Sequence, residues 1–308
     1  MGPIAGESWQ GCAIEHVLSR SVRDSALALD VTHGSDIGAP YAAPHFAGSF
    51  HSAASQDPRP LRIAFTTHSQ LGATIHPDCI AAVEKTVDLL TDLGHEVEEA
   101  SPTIHGPSFS RDYVMMLIGE TAADIREAQI TLQRKARYGS FEPATALLGL
   151  LGEEFSAVDF AMASRRLRRL HRQVGPFFEK YDLLLTPTLA TPPVPIGTLM
   201  PHGLELFGIK SLVRLGAGAL AKRAGAVDRI AENAWTFTPF TALFNVTGQP
   251  AASLPLHWNS DGVPIGCQLV AGFGNEEGLF QIAGQIERAQ PWFDRRPPQR
   301  RQGDSNPT

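Results

Sequence analysis

Cys12 and His16 stand four residues apart, the spacing that puts two side chains on one face of a helix, and a thiol beside an imidazole can act as a thiolate nucleophile. The plainer reading takes precedence: Cys12 is a small buried thiol and His16 a capping or surface histidine. Gly106-Pro107-Ser108 offers a serine on a turn, yet no glycine follows at the place a Gly-x-Ser-x-Gly elbow needs one. His45, His51, His68, His76, His95 and His105 are scattered, without the helical i, i+4 pair that zinc peptidases use, so no metal ion is expected. Gly216-Ala217-Gly218-Ala219-Leu220-Ala221 matches a loose dinucleotide-binding pattern. The stretch before it, 210–214, is a weak strand inside a helical region, and no cofactor is expected there either.

The elements that would position any such residue must come from a chain of 308 residues, 43% hydrophobic and 19% charged. That is enough to bury a substantial core in one large domain or two small ones. A net charge of -6 with both signs interspersed gives no basic stripe, which argues against a nucleic-acid partner. The basic run 165–172 reads as the wet face of a long helix, because leucines recur through it at helical spacing. Cys12, Cys79 and Cys267 form no close pair and suit a reducing compartment. The first residues carry no basic, apolar leader, and no apolar stretch is long enough to span a bilayer. The expectation is a cytoplasmic protein without a membrane partner.

Hydrophobic period predicts a helix over 15–30 stopped at His33-Gly34, then a turn-rich segment through Pro40, Pro44, Pro58 and Pro60. A strand at 61–65, a helix over 77–93 ended by Gly94 and a strand at 96–98 make a β-α-β unit whose right-handed crossover sets the strands parallel. Helices are predicted at 112–135 and over 143–181, the latter broken near Gly152 with Ser156 or Asp159 capping its second part. A buried strand at 182–186 runs into an extended proline-rich loop to Pro195. The glycine- and alanine-rich stretch 203–231 reads as a helical hairpin. Strands at 251–256 and 264–270 flank a turn at 259–262, and a last helix covers 276–288.

Several ordered motifs run along these elements: Ser19-Arg20-Ser21-Val22-Arg23-Asp24, then Tyr181-Asp182-Leu183-Leu184-Leu185-Thr186-Pro187-Thr188, then Asn245-Val246-Thr247-Gly248-Gln249-Pro250-Ala251. Gly262-Val263-Pro264-Ile265-Gly266-Cys267-Gln268 and a closing Pro291-Trp292-Phe293-Asp294-Arg295-Arg296-Pro297 follow. Together they resemble the C-terminal portion of the amidase signature family, and 187–197 is most similar to the bacterial amidases that include cyclic-dimer hydrolases of nylon oligomers. Taken singly, the same residues read as scaffold: Gly248 and Gly262 supply turns, Pro250 and Pro255 flank a strand, and Asn245 satisfies backbone groups at a loop.

The resemblance implies an α/β fold with a mixed central β-sheet flanked by helices. It implies a partial amidase signature domain over 1–298, followed by a polar tail, 299–308, expected to be disordered. It also implies acyl transfer through a serine activated by a cis-peptide serine and a neutral lysine, on a glycine- and serine-rich loop that lets hydroxyls and amides approach one carbonyl. This chain has no Gly-Gly dipeptide, and Lys85, Lys135, Lys180, Lys210 and Lys222 all lack the family's Lys-Asp context. No catalytic residue is therefore assigned. In family order that machinery lies ahead of Met1, and Met1 falls where the family often reads Pro-x-Gly-Pro. The expectation is a start codon inside a longer reading frame, or a truncated gene product, that leaves apolar faces and strand edges uncovered.

Within the family the segment before Asn245 contributes to the substrate pocket, which here gives Trp235, Phe237, Thr238 and Phe240. Thr238 corresponds to an aspartate in subunits that handle glutamine. A threonine among aromatics implies a neutral, fairly apolar amide substrate, with core packing as the competing role for these rings. The function implied is hydrolysis of a carbon–nitrogen bond in a small neutral amide. The rivals are a non-catalytic binding or regulatory fragment that pairs with a separately encoded N-terminal piece, and an inactive remnant.

Overall fold

Leu183, Leu184 and Leu185 are each at most 2% exposed, because the strand that carries them is covered on both faces. The computed structural model describes residues 6–297. In chain order its elements are α1 (Val22–Thr32), α2 (Phe50–Ala53), β1 (Arg62–Phe65), α3 (Pro77–Asp92), β2 (Glu96–Glu99), α4 (Gly106–Thr131), α5 (Pro143–Gly152), α6 (Ala157–Val174) and α7 (Phe177–Lys180). They continue as β3 (Leu183–Pro187), α8 (Gly203–Leu215), α9 (Gly218–Arg223), α10 (Ala226–Asn233), α11 (Ala242–Thr247), β4 (Ala251–Trp258), β5 (Pro264–Ala271) and α12 (Glu276–Ala289).

The five strands lie in the order β2-β1-β3-β5-β4. β1 is parallel to β2 and β3, and β5 is antiparallel to β3 and β4, so the sheet is mixed, as expected. Strand side chains alternate between faces. Ile63, Leu183, Leu185, Cys267 and Leu269 join one core with Ala26 of α1, Val83 and Leu90 of α3, and Ile282 and Ile286 of α12. Ala64, Leu184 and Val270 join the opposite core with Met116 of α4, Leu167 and Val174 of α6, and Phe244 of α11. A third cluster, farther from the sheet, packs α4, α5 and α6 against α9 and α10 through Ile118, Leu151, Ala163, Ala221 and Val227.

Local chemistry sets the boundaries. Pro77 opens α3, whose end gives way to Gly94 at φ +90°. Ser156 and Asp159 form a reciprocal capping box on α6, worth about 1 kcal/mol.

Four expectations need correction. The first helix starts at Val22 and not at 15, because the Ser21 side chain accepts the Asp24 N–H at 3.1 Å and sets the N-cap there. Leu18 ahead of it is fully exposed. α4 starts six residues earlier than predicted, on a His105 cap with Pro107 in its first turn. The 203–231 hairpin is three helices, since Gly216 and Gly225 take φ +62° and +73° and interrupt the helical run. The short helices α2 and α11 were not expected. The tail 299–308 lies outside the described residues.

Candidate functional site

The segment 235–240 leaves α10, crosses near the carboxyl end of β3 and enters α11. Two long-range hydrogen bonds hold it. The Ala190 N–H donates to the Phe237 carbonyl at 2.9 Å, and Ala190 is itself fully buried in the loop after β3. Gln268 of β5, 4% exposed, donates through Nε2 to the Phe240 carbonyl at 3.3 Å and to Thr186 Oγ1 at 3.1 Å. A buried amide that gives both its protons in this way fixes the loop to the sheet, and an unpaired carbonyl there would cost about 1–3 kcal/mol.

The structure separates the four residues singled out from the sequence. Trp235 is buried, its ring 5.0 Å from Tyr113 at 79° and 5.5 Å from Phe109, so it belongs to the helical core. Its Nε1 is buried without a protein partner. Phe240 is buried as well, while Phe237 and Thr238 stay half-buried between these anchors. The segment 235–240 carries no charged side chain. Sequence order could locate the segment, but Gln268, Ala190, Phe109 and Tyr113 are far along the chain and carried no signal of contact with it. Cavities of about 250 Å³ and 120 Å³ lie elsewhere, the first beside Arg59, Asp182 and Asn275 and the second beside Thr188, Ser253 and Ile265.

The Cys12–His16 pair does not assemble. Both residues precede α1 outside a helix, and His16 Nε2 lies 2.8 Å from Ser25 Oγ. Burial pushes the Cys12 thiol up to about 11, with Glu120 and Glu7 adding to the rise against Arg168. Asn245 Nδ2 donates to the Cys12 carbonyl at 3.0 Å, which makes Asn245 a backbone satisfier. Next to it Trp9 and Gln10 adopt φ +52° and +55°, a conformation costing about 1–2 kcal/mol per residue. Gln10 is held there by Glu120 at 2.9 Å and Arg168 at 3.3 Å.

Cys79 and Cys267 are also buried free thiols, pushed up by desolvation to about 11 and about 12. Native protein at pH 8 is therefore expected to react with a disulfide reagent such as DTNB no faster than it opens, and all three thiols to react in guanidinium. A thiol titrating promptly in the native state would restore the nucleophile reading.

The other motifs prove structural. The Asp182 carboxylate accepts the Arg62 N–H at 2.8 Å and Arg59 Nη2 at 2.6 Å, joining the starts of β1 and β3. Trp292 Nε1 donates to the Arg20 carbonyl at 3.1 Å, so the first and last motifs meet. The 165–172 run is the wet face expected, with its arginines and His171 exposed and Leu167 and Leu170 buried, and Arg166 also forks onto buried Asp112 at 2.7 and 2.6 Å. Among the described residues no three His, Cys, Asp or Glu side chains gather as a metal site would require, and no helix is long and apolar enough to cross a membrane.

A family model described as Amidase matches residues 10–280. The 6-aminohexanoate-cyclic-dimer hydrolase of Paenarthrobacter ureafaciens is 34% identical over 302 residues, covering 96% of this chain and 58% of that protein. The same-named hydrolase of Pseudomonas sp. (strain NK87) is 33% identical with the same coverage. A solved structure of 6-aminohexanoate cyclic dimer hydrolase complexed with substrate superposes with a TM-score of 0.75 at 32% identity, over 91% of this chain and 55% of that one. A bacterial aryl acylamidase of the amidase signature family shares the fold, with a TM-score of 0.66 at 22% identity, over 89% of this chain and 52% of that one. This chain thus spans less than three-fifths of the length of the curated relatives it matches.

Proposed function

The chain belongs to the amidase family, and from that premise we propose that it is the pocket-shaping portion of a hydrolase that cleaves the carbon–nitrogen bond of a small neutral amide. In this reading residues 1–298 form one partial amidase signature domain in a cytoplasmic protein, and the serine, cis-serine and lysine lie on polypeptide outside the 308 residues. One observation carries the pocket assignment: Ala190 of the loop after β3 holds 237 and Gln268 of β5 holds 240, which keeps the half-buried Phe237 and Thr238 in place between them.

An aromatic and a hydroxyl in a segment without a charged side chain favour an uncharged substrate, since a charged amide would find no partner ion on that segment. A cyclic amide of the kind named for the Paenarthrobacter relative fits that requirement. Trp235 and Phe240 act behind the wall, as packing that keeps it rigid. The hydrolysis itself uses no metal or organic cofactor.

The test is the intact mass of the protein isolated from its source cell. The proposal expects either a species heavier than 33.2 kDa or a 33.2 kDa chain that co-purifies with a glycine- and serine-rich partner. A 33.2 kDa species alone would leave a non-catalytic fragment or remnant in its place.

A further inference from the structure

We propose that α8 is a self-association surface, whose outer face pairs antiparallel with α8 of a second copy of this chain. The inference stands apart from the amide reading, since it concerns a face that carries none of the pocket residues.

α8 forms an outer helical layer. α4 and α6 pack against the sheet, α5 packs on α4, and α8 lies on α5 with α9 at its end. Ile209, Leu212 and Val213 turn inward against the third core cluster. The outward side holds Leu204, Phe207 and Leu215, which are 90%, 70% and 78% exposed, and no residue of the helix is fully buried. Leu199 and Met200 just ahead of the helix and Leu220 just after it are exposed as well.

Soluble monomers rarely leave a contiguous apolar patch of more than a few hundred Å² in water. These six large side chains each expose more than half of their surface. Together they offer an area of the order of the roughly 800 Å² per partner that a standard interface buries. The sheet lies beneath two helical layers here, so a strand added to the sheet would not cover this face.

The spacing says which partner fits. Leu204, Gly208, Ser211 and Leu215 follow one another at intervals of four, three and four residues, the seam along which two helices interlock. The seam is uncharged and reads the same in both directions, with leucines at its ends and small residues in its middle. A second copy laid antiparallel therefore sets Leu204 over Leu215 and Gly208 over Ser211, twice over, as a two-fold contact requires. The small residues let the two axes approach closely, and a Cβ on Gly208 would meet nothing within 4 Å, so the space at the crossing is open. Phe207 and Arg214 share one flank of the seam. A two-fold axis brings like flanks together, so the Arg214 guanidinium of one copy meets the Phe207 ring of the other.

The experiment is analytical ultracentrifugation of the purified 308-residue chain over a range of concentrations. A reversible species of twice 33.2 kDa is expected. Gly208→Glu places a charge in the crossing and should weaken the dimer at least about tenfold. The open space around that position should leave the circular dichroism of the chain unchanged. Leu204→Glu, at a side chain already 90% exposed in the single chain, should weaken the dimer in the same way. Ser211→Ala keeps the crossing small and should keep the dimer. A chain that stays monomeric overturns the assignment, and so does self-association indifferent to both glutamate variants, which would place the contact elsewhere. A monomer that sediments with phosphatidylcholine–phosphatidylglycerol vesicles and loses them on Leu204→Glu also overturns it, since the face would then belong to a bilayer.

Discussion

Replacing Leu185 by alanine is expected to lower the stability of the chain by about 3–5 kcal/mol, read from urea unfolding midpoints at constant m-value. Leu185 has no exposed surface, sits in the middle of the central strand, and pairs with Phe65 on one side and Leu269 on the other. Its side chain packs in the core shared with α3 and α12. Truncation loses roughly 2–3 kcal/mol of transfer free energy, and a sheet held by hydrogen bonds on both sides of Leu185 cannot collapse into the gap, which adds the cavity cost. Ile196, fully exposed, provides the contrast: Ile196→Ala should stay within about 0.5 kcal/mol. A loss under 1 kcal/mol for Leu185→Ala would mean that the two-faced core is not formed as described.

Much of this architecture could be read in advance, for reasons that are local. The run 61–65, the helical period after Pro77, Gly94 and the apolar 182–186 each carry their own signal, and the crossover rule made the first two strands parallel. Ser156 and Asp159 stood out as alternative caps, and the structure joins the two in one reciprocal box. The same kind of signal, Ser21 followed by Asp24, should have moved the start of α1; the apolar residues at 17 and 18 misled because helical period says nothing about whether a partner surface exists.

What stayed hidden is non-local. α11 carries the β-branched Val246 and Thr247 inside a six-residue helix, too short for period to register. The placement of β5 between β3 and β4 depends on the pairing of 267–271 with 183–187, segments far apart in the sequence. The site divides in the same way. Thr238 and its aromatic neighbours were visible as a cluster of types, whereas the sorting of Trp235 into the core by Phe109 and Tyr113, and the anchoring of Phe240 by Gln268, are contacts between distant segments. Asp182, Trp292 and Asn245 stood out in the sequence, and the side chain of each turns out to bond a distant backbone group.

The second large effect concerns chemistry. Amide hydrolysis by a serine needs a nucleophile, a base and amides preorganised for the developing oxyanion, and enzymes gain roughly 10⁶-fold or more in rate from such arrangements. The 308 residues contain no Gly-Gly dipeptide, and the three thiols are buried with pKa values raised to about 11 or 12. If the catalytic groups lie outside these residues, as proposed, the rate difference expected between this chain alone and the chain joined to them is at least about 10⁶-fold on a neutral aryl amide.

The direct measurement is turnover of such an amide by the purified 308-residue chain, with and without a serine-directed fluorophosphonate. No hydrolysis above the uncatalysed rate and no labelled serine are expected. Turnover that the phosphonate abolishes, with the label on one serine of this chain, would contradict that expectation and place the nucleophile within these residues.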